Sequence, residues 1–244
     1  MELWAHRGSH GHSGLVENTL PAFEQAILEQ ACGIELDVHL SADGVPVVFH
    51  DDTLERLTRD ALRAPVKALS CHQLTTLPLV NDASIPTLAD VLDLVAGRVP
   101  VNIELKDGFA VSAVSAVLDK LDYTNALISS FSASAVGVAA DLRPDLERAW
   151  ISGDPCIHPS LQYANWYPAD ILKQSKATRW HTHGAFARSS IVSSLASLAI
   201  PTYVWTVNEL DEMMNLETRG VVGVFTDHPG TMKVKLAARF ECAN

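Results

Sequence analysis

The segment Ile34-Glu35-Leu36-Asp37-Val38 alternates apolar and acidic side chains. Alternate side chains of a strand share a face. Glu35 and Asp37 therefore point one way, and Ile34, Leu36 and Val38 the other. The segment Val101-Asn102-Ile103-Glu104-Leu105-Lys106 repeats the design, with Val101, Ile103 and Leu105 on one face and Asn102, Glu104 and Lys106 on the other. In a barrel the apolar sets meet an outer layer of helices. The polar sets then face inward near the C-terminal strand ends, where barrel active sites sit.

The remaining sequence extends this pattern. Strands are expected near 2–6, 33–40, 101–106, 126–131, 147–152, 178–182, 202–207 and 221–226. Helical patterns follow near 19–31, 87–96, 110–121, 133–142, 168–175, 187–198, 209–218 and 230–240. Eight strands each followed by a helix is the pattern of a (β/α)8 barrel, although a doubly wound open sheet shows the same alternation. Val45–His50 also reads as a strand, and Ser41-Ala42-Asp43-Gly44 is too short for a helical crossover. This pair is therefore an antiparallel hairpin above the mouth, with His50 returning beside Glu35. Residues 51–86 read as an irregular excursion or small cap. No linker or repeat divides residues 1–244, so one domain is expected.

The chain has 244 residues, 48% of them hydrophobic, enough to fill a sizeable core. Only 19% are charged, which excludes a disordered chain. The formal charge of −11 argues against a nucleic-acid partner, yet a local cation could still hold an anionic substrate. No apolar run reaches the roughly 18–20 residues of a membrane span. Met1-Glu2-Leu3-Trp4-Ala5-His6 does not open a signal peptide. Cys32, Cys71, Cys156 and Cys242 are scattered, which disfavours a zinc cluster or disulfide framework. A reducing, cytoplasmic location is the expectation.

Buried, unpaired carboxylates are costly together. A hard divalent cation held by Glu35, Asp37 and Glu104 would resolve that cost. An ion-pair network of these acids with Lys106 and Arg7 would do so as well. His6 ends the first strand and His50 the hairpin, so both reach the mouth. Such a pair can act as general base and general acid across a bond being broken. Arg7 could clamp an anionic oxygen, and Gly8 would allow close backbone approach to a ligand. Glu17-Asn18-Thr19 reads first as a helix start, with Asn18 or Thr19 as cap and Pro21 in the first turn. Glu17, on the mouth side, could also be a ligand. His10 and His12 fit exposed loop polarity, and His39, His72, His158 and His228 carry no particular signal. His181 or His183 could reach the mouth. Ser129-Ser130 lacks the Gly-x-Ser-x-Gly of a serine hydrolase, and no phosphate-binding glycine loop occurs.

Ala5-His6-Arg7-Gly8, Glu17-Asn18-Thr19, Glu35-Leu36-Asp37-Val38, Ser41-Ala42-Asp43-Gly44 and His50-Asp51-Asp52-Thr53-Leu54-Glu55-Arg56 together resemble a glycerophosphodiester phosphodiesterase. Ile85-Pro86-Thr87-Leu88, Glu104-Leu105-Lys106, Ser130-Phe131, Trp205-Thr206-Val207-Asn208 and Thr226-Asp227-His228-Pro229 continue the match in order. The resemblance implies a TIM barrel of the phosphatidylinositol-phospholipase-C-like type. It implies hydrolysis of glycerophosphodiesters to sn-glycerol 3-phosphate and an alcohol, as in the cytoplasmic bacterial members. By resemblance, His6 and His50 are the acid/base pair, and Glu35, Asp37 and Glu104 hold one Ca2+ or Mg2+. Arg7 and Lys106 contact phosphate, with Glu17 and Asn18 as a polar rim. The departures are Val16 where the family often has proline, a short 51–86 segment, and a 153–183 segment, with Trp166, Trp180, His181 and His183, that matches no family pattern. The rivals are a lysophospholipase D-like enzyme of the same fold, a non-catalytic binding member and a metal-dependent amidohydrolase. The last usually needs His-x-His on its first strand, where only His6 stands. The alcohol, the native metal and the choice between monomer and homodimer stay open.

Overall fold

In a computed structural model describing residues 1–11, 14–59, 61–153 and 167–242, the alternating segments close into a ring. The strands are β1 (Glu2–His6), β2 (Gly33–Leu40), β3 (Pro46–Val48), β4 (Val101–Leu105), β5 (Ala126–Ser130), β6 (Glu147–Ser152), β7 (Arg179–His183), β8 (Thr202–Trp205) and β9 (Gly223–Thr226). The helices are α1 (Leu20–Leu28), α2 (Cys71–Thr75), α3 (Leu88–Val95), α4 (Ala110–Lys120), α5 (Ala133–Leu142), α6 (Ala169–Gln174), α7 (Ser189–Ser197), α8 (Leu210–Thr218) and α9 (Pro229–Cys242). The sheet runs β1-β9-β8-β7-β6-β5-β4-β2, and parallel pairing of β1 with β2 closes it. The closure decides for the (β/α)8 barrel against the open sheet. The expectations on His12, Cys156, His158 and Trp166 lie outside the described residues.

β2 is long enough to serve three partners. Its first half pairs with β1, its middle with β4, and Val38–Leu40 with β3 antiparallel. The hairpin thus extends β2 beyond the ring. α1 stops earlier than the sequence pattern suggests, because Gln30 takes a left-handed φ of 59° and turns the chain toward β2.

The two faces of the strands separate as the alternation predicts. Ile34, Leu36, Val38, Val101, Ile103 and Leu105 join Phe23, Leu92 and Val114 in one apolar cluster between barrel and helices. Each such side chain contributes about 1.5–3 kcal/mol on burial. Inside the ring, Trp4, Leu127, Ala149, Tyr203 and Phe225 form a plug. Gly33 and Gly223 make it possible. A Cβ on Gly33 would lie 2.5 Å from the Trp4 ring, and one on Gly223 2.7 Å from the Tyr203 ring.

Residues 51–86 are more ordered than an irregular excursion. Short 3-10 turns at Arg56–Thr58, Val66–Ala68 and Val80–Asp82 accompany α2, which Ser70 and Gln73 cap reciprocally. Leu54, Leu57, Val66, Leu74 and Ile85 pack with Val47 and Phe49 of the hairpin into a separate small core. Among the described residues no helix is long and apolar enough to cross a membrane.

Gly33→Ala should force the plug apart and lower stability by about 1–3 kcal/mol. The urea midpoint of the variant reads this directly, and an unchanged midpoint would contradict the packing.

Candidate active site

The plug fills the barrel below and leaves a cavity of about 610 Å3 at the C-terminal strand ends. His6, Arg7, Glu35, His50, Glu104 and Lys106 line it. The β1–β2 register sets His6 opposite Glu35, and the β2–β4 register sets Asp37 opposite Glu104. Oxygens of Glu35, Asp37 and Glu104 lie within 4.8 Å of one another, and all three residues are buried.

Both arrangements that the sequence allowed for these acids occur together. Lys106 Nζ lies 2.7 Å from Asp37 Oδ1 and 2.5 Å from Glu104 Oε1. Arg7 Nε lies 3.2 Å from Asp37 Oδ2. Burial alone would raise the Asp37 carboxyl, but Lys106 and Arg7 outweigh it and hold the group below the usual range. Glu35 is pushed well above that range by burial and by the neighbouring charges of Asp37 and Glu104. Burial likewise raises Glu104, against the pull of Lys106. Glu35 Oε2 accepts from the Arg7 amide at 3.0 Å, while its buried Oε1 has no hydrogen-bond partner. Three hard oxygen donors with one orphaned atom fit a divalent cation.

Each histidine is tethered by an aspartate. His6 Nδ1 lies 2.7 Å from Asp227 Oδ1, and His50 Nδ1 lies 2.7 Å from Asp51 Oδ1. A carboxylate only accepts, so each ring donates from Nδ1 and keeps Nε2 as its acceptor nitrogen. Burial lowers both rings' affinity for a second proton, against the opposing pull of acidic neighbours. Asn208 Nδ2 donates to Asp227 Oδ2 at 2.7 Å. Arg56 holds Asp51 from Nε at 2.6 Å and Glu17 from Nη2 at 2.7 Å. Glu17 in turn accepts from Arg7 Nη1 at 3.0 Å.

Several expectations need correction. Glu17 and Asn18 each bond a residue of the cluster, Arg7 and Asp37 respectively. Glu17 is spent on Arg7 and Arg56. Asn18 is 2% exposed, takes a φ of 56°, and donates from Nδ2 to Asp37 Oδ2 at 2.8 Å. It is therefore not a helix cap. Thr19 occupies the cap position, but its hydroxyl donates back to the Val16 carbonyl. Gly8 packs tightly on α1, since a Cβ there would lie 2.8 Å from Ala22. His10 is not loop polarity; its Nε2 is buried 3.4 Å from Asp227 Oδ1. His39 bonds through Nε2 to the His50 carbonyl at 3.2 Å. His181 reaches the cavity, with its ring 4.9 Å from that of Phe225, whereas His183 does not line it.

The fold and site define a (β/α)8 barrel whose mouth joins an acidic cluster, two basic side chains and two aspartate-tethered histidines. The sequence model of the glycerophosphoryl diester phosphodiesterase family matches residues 6–231. A glycerophosphodiester phosphodiesterase of Bacillus altitudinis is 32% identical over 247 residues, covering 93% of this chain and 95% of the relative. A phosphodiesterase of Oleispira antarctica, solved in complex with the product sn-glycerol-3-phosphate, superposes with a TM-score of 0.84 at 26% identity over 97% of both chains. A glycerophosphodiester phosphodiesterase of Thermotoga maritima gives 0.78 at 27% identity, over 96% of this chain and 97% of the other. The chain belongs to the glycerophosphoryl diester phosphodiesterase family.

Asp227 is held below the usual carboxylate range by its bonds from His10, His6 and Asn208, which outweigh the opposing effect of burial. A depressed carboxyl contributes stability above its unfolded pKa of about 3.9, lost as pH falls through the folded value. Asp227→Asn should therefore make the acid limb of stability shallower below about pH 4. Urea unfolding at stepped pH measures it, and an unaltered limb would contradict the tether.

Proposed function

We propose that the protein hydrolyses glycerophosphodiesters, the deacylated phospholipids, to sn-glycerol 3-phosphate and an alcohol. The observation that carries this reading is the gathering of His6, His50, Arg7, Lys106, Glu35 and Glu104 around one cavity, with Asp37 completing the acidic cluster behind them. The product bound to the Oleispira antarctica relative supports it. Glu35, Asp37 and Glu104 would hold one Ca2+ or Mg2+. A cation held there would supply charge neutralisation to the phosphate.

Arg7 and Lys106 bind the phosphate and share the charge that develops in the transition state. Glu17 orients Arg7, and Asn18 orients Asp37. One histidine of the His6–His50 pair takes the proton of the attacking hydroxyl. The other delivers a proton to the leaving alkoxide. Asp227 and Asp51 fix which ring nitrogen does this. Attack by the neighbouring 2-hydroxyl of glycerol gives a cyclic phosphate, which water then opens.

Phe131, Ile151 and Trp205 give the cavity an apolar wall, with the Phe131 and Trp205 rings 5.7 Å apart. That wall favours a second reading, a lysophospholipase D-like activity in which it carries an acyl chain. Turnover of lysophosphatidylcholine above that of glycerophosphocholine would select it.

His6→Ala and His50→Ala should each slow glycerophosphocholine turnover by at least about 100-fold in protein that remains folded at the assay temperature. Losses under about tenfold in both would remove the histidines from the reaction. An analogue lacking the 2-hydroxyl should not turn over; full-rate cleavage would exclude the cyclic route.

A further inference from the structure

The bond between His6 and Asp227 has a third neighbour that hydrolysis does not use. His10 Nε2 lies 3.4 Å from the same carboxylate oxygen that His6 Nδ1 approaches at 2.7 Å. The ligand atoms of His6, His10 and Asp227 lie within 4.8 Å of one another. Beyond that 3.4 Å approach, the buried His10 Nε2 has no hydrogen-bond partner.

We infer that His6, His10 and Asp227 form a second cation site, which takes a nitrogen-preferring transition ion such as Zn2+ and silences the enzyme by seizing His6 Nδ1. The silencing rests on the proposed part of His6 in hydrolysis; the binding does not.

The donor set separates this site from the carboxylate cluster. Two imidazoles and a carboxylate suit Zn2+ or Co2+, whereas an all-oxygen set suits Ca2+ and Mg2+. Three protein ligands with a position left for water is a common zinc arrangement. The spacing fits too. A tetrahedral ion with bonds of about 2.0–2.1 Å sets its ligands about 3.4 Å apart. The His10 edge has that length already, and the His6 edge needs to open by about 0.7 Å.

The surroundings hold the donors ready. Asn208 Nδ2 occupies Asp227 Oδ2 and so turns Oδ1 toward both rings. The Asp227 amide and the Thr226 hydroxyl both donate to Asn208 Oδ1, at 2.9 and 3.0 Å. The amides of His10 and Gly11 donate to the Asp227 carbonyl at 3.3 and 3.1 Å, pinning the His10 loop to the carboxylate's own backbone. Such outer partners fix ligand orientation. Side-chain exposures of 17–22% leave the site open to an ion.

Coordination changes the tautomer of His6. The ring stays neutral, but its one proton passes through solvent from Nδ1 to Nε2. The nitrogen that accepts a proton in the metal-free enzyme then carries one, and with Nδ1 bound to the ion the ring can no longer take up a proton, so it serves neither as base nor as imidazolium acid.

The test uses EDTA-stripped full-length protein with excess Mg2+ to fill the carboxylate cluster. Co2+ is titrated and read by visible absorption, then displaced with Zn2+. His10→Gln and His10→Ala are run in parallel, with melting temperatures to confirm folding. The expected result is one Co2+ per chain with nitrogen-ligand bands, bound at least about tenfold more weakly by both variants. Glycerophosphocholine turnover should fall with Zn2+ occupancy in the wild type. At the same Zn2+ concentration it should hold in His10→Gln, whose turnover in Mg2+ alone matches the wild type. Equal Co2+ affinity in wild type and variants would overturn the site. His10-dependent binding with turnover untouched would overturn the silencing. A protein that binds Co2+ through His10 yet hydrolyses no glycerophosphodiester would sink the hydrolytic reading and leave the site standing.

Discussion

Three carboxylates turned into the mouth of a barrel are the constraint on which the rest of this structure depends. Glu35, Asp37 and Glu104 are each under 10% exposed. An unpaired charge so buried costs several kcal/mol. Lys106 and Arg7 meet part of that cost, while the buried Glu35 Oε1 is left without a hydrogen-bond partner. A cluster left partly uncompensated is one that favours a bound cation. The closure of β1 on β2 brings His6 and Arg7 to the same place, so the acids, the cations and one histidine follow from two adjoining registers, β1–β2 and β2–β4.

Charge pairs then carry order outward. His50 is tied to Asp51, Asp51 to Arg56, Arg56 to Glu17, Glu17 to Arg7, and Arg7 to Asp37. Arg56 starts a 3-10 turn of the cap region, and Asp37 lies on β2 of the barrel. The chain therefore links the residues after the hairpin to the acidic cluster. Its outer pairs are partly exposed and individually weak, but an arginine shared by two carboxylates fixes geometry as well as charge. His6 is fixed from the other side by Asp227 and Asn208. Two histidines on different elements thus meet one cavity in the same tautomer.

What could be read in the sequence was what strand alternation encodes. Inward Glu35, Asp37 and Glu104 and outward Ile34, Leu36 and Val38 follow from period two alone. The hairpin followed from a connection too short for a crossover. Less legible was whatever depends on distant chain segments meeting. Asp227 is 221 residues from His6, and nothing local marks it as the tether. Asn18 looked like a helix cap because its neighbours are helix-start residues. A left-handed backbone turns its amide to Asp37 instead. His10 and His39 carried no local signal, since their partners come from the β9–α9 turn and the end of the hairpin. The small core under residues 51–86 was hidden for a different reason. Its apolar residues are irregularly spaced and match neither helical nor strand period.

The central claim is that the buried acids form a cation site serving phosphodiester hydrolysis. It is tested most directly by following sn-glycerol 3-phosphate, through a coupled dehydrogenase, from EDTA-stripped protein given glycerophosphocholine, glycerophosphoethanolamine or glycerophosphoglycerol. The account predicts product on addition of Ca2+ or Mg2+ and none without either. No product from folded protein under either ion, or full activity after stripping, would contradict it.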